Sequence, residues 1–262
     1  MMIEEKWLID IPLFLPDYED DVEYGYKNKP GENLEALLRE KSRNHCMYCY
    51  CLLKSDRVNT GHLEHSIEKS LNKEILSECV PNISIACSNC NLSLKRNGER
   101  KRLEKLSGVK SEFISKTECV GKKCKSECES YKKLKAEYCK VSQIILQPFG
   151  VKGKKEIDYR IQYDIYNAEF IPSKDFDYSD DDIEYIEHHI NQFRLNDVGF
   201  KTKALAEFVE EVVNSRGRYV ESREHSNYIV DLFIDKIKNM DKEKVLELCQ
   251  KIYIRNLLLF RN

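Results

Sequence analysis

The pattern of apolar and polar positions divides this chain into a front part of short segments and a back part of helices. From Asn33 the spacing Leu34, Leu37, Leu38 predicts a short helix. Asn59-Thr60-Gly61 reads as a turn leading into a strand that carries His62, Glu64 and His65. Asn82-Ile83-Ser84-Ile85-Ala86 alternates as a second short strand does, and Cys90-Asn91-Leu92-Ser93-Leu94-Lys95 opens a helix. Further on, Val141–Gly150 and Ile157–Tyr166 read as strands around a Gly/Lys-rich turn at 150–155. The acidic loop from Asp175 to Asp182 ends by capping a helix, because Asp180–Asp182 fall where the helix dipole favours negative charge. Helices are then predicted near 181–195, 200–214, 221–239 and 241–260, with Leu205, Phe208, Val209 and Val212 at helical spacing. Residues 1–30, with their acidic run at 17–23, read as a solvated loop. The fold class is therefore α+β and mainly helical.

Composition adds three constraints. A chain of 262 residues makes one or two domains with a real core. A net charge of −2 excludes a uniformly basic binder, so any nucleic-acid contact must come from a local patch. Such a patch exists at 95–140, where 15 Lys and Arg against 7 Glu leave roughly +8. A solvated helical face would carry the same charges. The N-terminal MMIEEKWLIDIPLFLP has no small-residue cleavage site, and no apolar stretch reaches membrane-spanning length. The expectation is a cytoplasmic protein with no membrane contact, whose 11 cysteines stay reduced and cluster on metal rather than in disulfides.

The chemistry concentrates in residues 46–95. Two Cys-x-x-Cys knuckles, Cys46/Cys49 and Cys87/Cys90, offer four thiolates, the ligand set of a tetrahedral structural zinc. Between and beside them stand His62, Glu64, His65, Asn82 and Asn91, which suit a second, catalytic metal site. A plain zinc ribbon in a binding protein is the alternative, but 37 residues separate Cys49 from Cys87, which is long for a ribbon. Cys119, Cys124, Cys128 and Cys139 are a possible second zinc set with irregular spacing, against plain core thiols. Cys51 and Cys79 are expected to be buried, and His188, His189 and His225 to be surface or packing residues within helices. No Gly-x-x-x-x-Gly-Lys phosphate loop is present.

Glu64-His65, Asn82 and the closing Cys87-x-x-Cys90-Asn91 resemble the HNH endonucleases of the zinc-containing ββα-metal type. More narrowly, Arg39, Cys46-Met-Tyr-Cys49, His62-Leu-Glu-His65, Lys95 and the late Ile190-Asn-Gln-Phe-Arg-Leu-Asn196 resemble the PtuB family, HNH partners of PtuA ATPases in Septu and retron anti-phage systems. The resemblance implies a zinc-stapled ββα-metal core in 41–110. An N-terminal segment (1–40) precedes it, and a basic Cys-containing insert with short strands (111–175) and a C-terminal helical region (176–262) follow. It further implies His65 as general base, Glu64 and Asn91 as ligands of a catalytic Mg²⁺ or Mn²⁺, and Asn82 as the residue that fixes the backbone aiming His65. His62 could be a metal ligand, a substrate contact or a supporting hydrogen bond. A neutral imidazole accepts protons at neutral pH, and carboxylate and amide oxygens suit hard cations as thiolates suit zinc. The implied function is a metal-dependent DNA endonuclease of anti-phage defence with an ATPase partner. A tRNA- or RNA-cleaving nuclease and a non-enzymatic zinc-dependent nucleic-acid binder are the alternatives. Many relatives carry a proline and a basic residue after the Glu-His pair, where this chain has Ser66-Ile67-Glu68-Lys69; Glu68 either adds negative charge near the phosphate or offers another metal oxygen.

Overall fold

The computed structural model describes residues 7–107, 124–220 and 224–260. In chain order its regular elements are β1 (Leu8–Asp10), α1 (Asn28–Lys41), β2 (Lys54–Ser55), β3 (Val58–Asn59), β4 (Gly61–His65), α2 (Lys73–Leu76) and β5 (Ile83–Cys87). A π-turn over Cys90–Leu94 leads to α3 (Glu99–Lys105), α4 (Glu129–Ser142), β6 (Ile161–Asp164) and β7 (Glu169–Pro172). Four helices close the chain: α5 (Asp180–Gln192), α6 (Ala204–Asn214), α7 (Tyr228–Ile237) and α8 (Lys242–Phe260). The class is α+β with small sheets. No helix among the described residues is long and apolar enough to cross a membrane.

Two sheets organise the front of the molecule. β4 and β5 form an antiparallel hairpin in which His62 faces Ala86, Glu64 faces Ser84 and His65 faces Ile83. β1, β6 and β7 form a second antiparallel sheet, with Ile9 opposite Tyr163 and Tyr163 opposite Phe170. The N-terminal residues are therefore not all solvated loop: Leu8–Asp10 pair with a strand some 150 positions away, and Ile9, Ile11 and Phe14 are buried. The first helix begins at Asn28 rather than at Asn33, with Pro30 in its first turn, where a missing N–H is no loss.

Val141–Gly150 is not a strand. Val141 and Ser142 finish α4, and Gln143 turns the chain with φ +49°. Ile144, Ile145 and Leu146 cross the interior as irregular backbone, which needs side chains for its hydrogen bonds. His189 Nδ1 accepts from the Ile145 N–H at 3.0 Å, and Tyr185 Oη donates to the Ile144 carbonyl at 2.8 Å. Alternating hydrophobicity here meets helix side chains instead of a neighbouring strand. Of the predicted 157–166 strand only Ile161–Asp164 forms, and its partner Glu169–Pro172 went unpredicted.

The C-terminal helices form close to the predicted spans. Ser179 caps α5 in a reciprocal capping box with Asp182. Asn227 caps α7, which starts at Tyr228 rather than near 221, so His225 lies before the helix and pairs with Asp231 at 2.7 Å. Leu205, Phe208, Val209 and Val212 of α6 are buried against a contiguous core that also takes Phe233 and Ile237 of α7 and Cys249 and Ile252 of α8.

The late Ile190–Asn196 stretch braces the front of the molecule. Phe193 stacks on Tyr48 with ring centroids 4.8 Å apart, Gln192 donates to the Leu94 carbonyl, and Asn196 bonds both the N–H (2.8 Å) and the carbonyl (2.7 Å) of Phe170 in β7. Asn196→Ala should cost about 1–3 kcal/mol, because both Phe170 groups lose their partner. Urea denaturation would read this as a lowered midpoint at unchanged slope; a wild-type midpoint would refute the brace.

Candidate functional site

Cys46 and Cys49 stand on the tight turn after α1, where Tyr50 takes φ +65°; Cys87 ends β5 and Cys90 opens the π-turn. Their four Sγ atoms all lie within 4.8 Å of one another, and those of Cys49 and Cys87 are 3.7 Å apart. Thiolates on a tetrahedral metal at a bond length of about 2.3 Å sit about 3.8 Å from each other, so the donor set fits such an ion. The Cys90 N–H also donates to Cys87 Sγ at 3.4 Å, a bond that favours a thiolate. Among the described residues this is the one cluster of metal-ligating groups. Cys119 of the irregular second set lies outside them, and Cys124, Cys128 and Cys139 do not join into a site. Cys79 is buried as expected, but Cys51 is half-exposed, with its Sγ 3.4 Å from that of Cys49, at the margin of the cluster.

The hairpin carries the candidate chemistry beside this cluster. Gly61 opens β4 where a Cβ would lie 2.8 Å from Leu53 Cδ1 and 3.1 Å from Leu53 Cβ, so a larger residue would push against the Leu53 side chain. Glu64 is 2% exposed. Its Oε1 accepts from Tyr48 Oη and Ser84 Oγ, both at 2.5 Å, and its Oε2 from the ammonium of Lys95. Burial pushes the carboxyl up, but Lys95 and the two hydroxyls outweigh it and hold Glu64 below the ordinary glutamate range. It is an ionised carboxylate with a donor on each oxygen. Both oxygens of the expected metal ligand are thus occupied, so as placed the residues do not fit a catalytic divalent ion at Glu64.

His65, 8% exposed, lies at the end of β4 with the Tyr26 ring 4.3 Å away. Its Nε2 is 3.1 Å from the Ser77 carbonyl. A carbonyl only accepts, so Nε2 carries the proton and Nδ1 keeps its lone pair. Burial pulls the imidazole below its usual range, against smaller opposing effects from the Ser77 carbonyl and Glu64. Asn82 clamps the segment that follows: Oδ1 accepts from the Ile67 N–H at 2.8 Å, Nδ2 donates to the Ile67 carbonyl at 3.0 Å, and Tyr131 Oη donates to Oδ1 at 3.1 Å.

His65 and Lys95 line a cavity of about 320 Å³ together with Asn91, Arg96 and Lys69. Asn91 shares the cavity with Glu64, whose two oxygens already have donors, and with Glu68. His62 does not line it; it is exposed and bonds Ser88 Oγ at 3.1 Å. Arg102 grips Glu68 Oε1 through Nε at 3.0 Å and Nη2 at 2.6 Å, while the buried Oε2 of this cavity-lining residue has no hydrogen-bond partner among the described residues. His188 is exposed and His189 buried, with its pKa lowered to about 3 chiefly by burial.

Sequence reasoning missed the shell around Glu64. Ser84 was recoverable, because a register that sets His62 opposite Ala86 also sets Glu64 opposite Ser84. Tyr48 and Lys95 stand in the motifs that carry the resemblance, but nothing local tied them to Glu64: one is an aromatic inside a cysteine knuckle, the other one lysine in a basic run. No protein-family model, curated protein or solved structure matches the chain.

Proposed function

We propose that this protein is an HNH-type endonuclease, with zinc in the four-cysteine cluster and hydrolysis of nucleic-acid phosphodiester bonds at His65, DNA being the first substrate to test. The supporting observation is a buried imidazole beside a cavity, with one nitrogen tied to the Ser77 carbonyl and the other left as an acceptor. In this reading His65 Nδ1 takes a proton from water as the water oxygen bonds phosphorus and the bond to the leaving sugar oxygen breaks. Zinc holds the hairpin, the knuckle turn and the π-turn together and takes no part in the bond changes. The basic residues Lys69 and Arg96 at the cavity suit a phosphate backbone.

The test is cleavage of supercoiled plasmid by wild type and His65→Ala, with and without added Mg²⁺ or Mn²⁺. The variant should lose activity by about 10²–10⁴-fold. Equal cutting by both proteins would sink the assignment of the base. If neither cuts plasmid, tRNA is the next substrate, and no cleavage of either would leave a zinc-dependent binder as the better account.

The pH profile is a second check. The active form of His65 is neutral, and its pKa lies below the free-histidine value, so activity should stay level through pH 7 and fall only below about pH 6.5. A fall beginning well above that pH would contradict a buried neutral base.

The same reading includes an ATPase partner docked on the C-terminal helices. In α8, Ile254 and Leu258 are 62% and 70% exposed and lie four residues apart on one face, as a docking stripe would. Co-expression with a neighbouring ATPase, followed by co-purification, tests it; a strictly separate nuclease would count against it.

A further inference from the structure

We infer that the Lys95 ammonium occupies the position beside Glu64 that a divalent cation would take, so that the positive charge of this site is a fixed side chain of the protein. Lys95 is 4% exposed, and its Nζ donates both to Glu64 Oε2 and to the His65 carbonyl. Those two acceptors come from consecutive residues of β4, one of them the proposed base. A cation bridging a carboxylate oxygen and a neighbouring backbone carbonyl is the arrangement by which oxygen ligands hold Mg²⁺ or Mn²⁺. Here an ammonium makes both contacts.

The ammonium is fixed from its own backbone outward. The Lys95 N–H bonds the Cys90 carbonyl at 3.0 Å, the five-residue bond of the π-turn, and Cys90 belongs to the thiolate cluster. Arg102 Nη2 donates to the Lys95 carbonyl at 2.6 Å, and Gln192 holds the carbonyl of Leu94 just before it. Widened helical turns of this kind concentrate at functional sites because they re-aim a side chain. This one aims Lys95 at the hairpin. Glu64 Oε1 is meanwhile filled by Tyr48 and Ser84, so a metal ion could reach this carboxylate only through Oε2, where the ammonium sits. A divalent ion would have to displace the ammonium or lie against it, and like charges in a buried site repel strongly.

An ammonium has three N–H donors, and protein acceptors among the described residues take two of them. The third remains for an anion entering the cavity that Lys95 shares with His65. Its assignment to a phosphate oxygen rests on the nuclease reading above; the displacement of the metal does not.

The test is Mn²⁺ titration of the zinc-loaded protein, followed by loss of the free-ion electron paramagnetic resonance signal, which works whether or not any nucleic acid is cut. Wild type should show no Mn²⁺ binding that Glu64→Gln removes. Lys95→Ala, which vacates the position, should bind Mn²⁺ at least about tenfold tighter than wild type, and Glu64→Gln in that background should abolish the gain. Wild-type binding of one Mn²⁺ that depends on Glu64 would overturn the inference, as would a folded Lys95→Ala that gains no affinity. Should Lys95→Ala fail to fold, the comparison of wild type with Glu64→Gln decides alone. A protein that cuts nothing yet gains Mn²⁺ in Lys95→Ala refutes the nuclease and keeps the inference; one that cuts through a Glu64-bound Mn²⁺ does the reverse.

Discussion

Cys87→Ser is expected to give protein that is insoluble or, where soluble, free of zinc and without the cooperative unfolding transition of the wild type. The four sulfurs come from the turn after α1, the end of β5 and the start of the π-turn, so an ion held there would fasten the turn after α1 to the end of the hairpin. The hairpin they fasten has two strands of five residues each, and an isolated two-stranded hairpin is marginal in water. Structural zinc contributes on the order of 10 kcal/mol in small units of this kind, as much as the whole net stability of a typical domain, about 5–15 kcal/mol. Zinc content by atomic absorption and thermal unfolding with and without chelator are the measurements. A soluble Cys87→Ser protein with full zinc and a wild-type transition would show that the four cysteines are not the site.

The second large effect concerns the buried pair of Glu64 and Lys95. Lys95→Met should destabilise the protein by about 3–5 kcal/mol, because it leaves an ionised carboxylate in the interior with only neutral hydroxyls for support. Adding Glu64→Gln should recover most of that loss. The amide oxygen can still accept from Tyr48 and Ser84, and no buried charge is left uncompensated. The sign of this recovery separates the mechanisms: a pure packing defect at position 95 would not be relieved by a change at position 64. Urea denaturation of both single variants and the double variant, in the presence of zinc, gives the coupling energy. Additive losses would mean that the two side chains do not depend on each other.

Both effects arise at one place, and they were unequally legible. The cysteine cluster could be read directly, because a Cys-x-x-Cys knuckle is a local device: two sulfurs three residues apart reach one ion whatever the rest of the chain does. The hairpin could also be read, since Asn59-Thr60-Gly61 and the alternation at 82–86 mark its strands. The register was implicit in that pattern, and with it the facing of Glu64 and Ser84. The helices after Asp180 were legible because apolar residues recur on one face and Ser179 with Asp182 caps the first turn. Buried Ile144–Leu146 misled because a hydrophobic run reports burial and does not say which neighbour supplies its hydrogen bonds.

By itself, then, the sequence determined the thiolate set, the strand pair that bears Glu64 and His65, and the helical character of the C-terminal part. Tertiary structure alone decided the state of those groups. It tied His65 Nε2 to the Ser77 carbonyl, turned His62 outward onto Ser88, and closed Glu64 with Tyr48 and Lys95. It also brought Phe193 onto Tyr48 from 145 positions along the chain. The physical reason is one of range. Turns, caps and knuckles are set by bonds within a few residues, whereas the charge state and openness of a buried carboxylate depend on which donors the folded chain carries to it, and those donors need bear no pattern in common with the residue they serve.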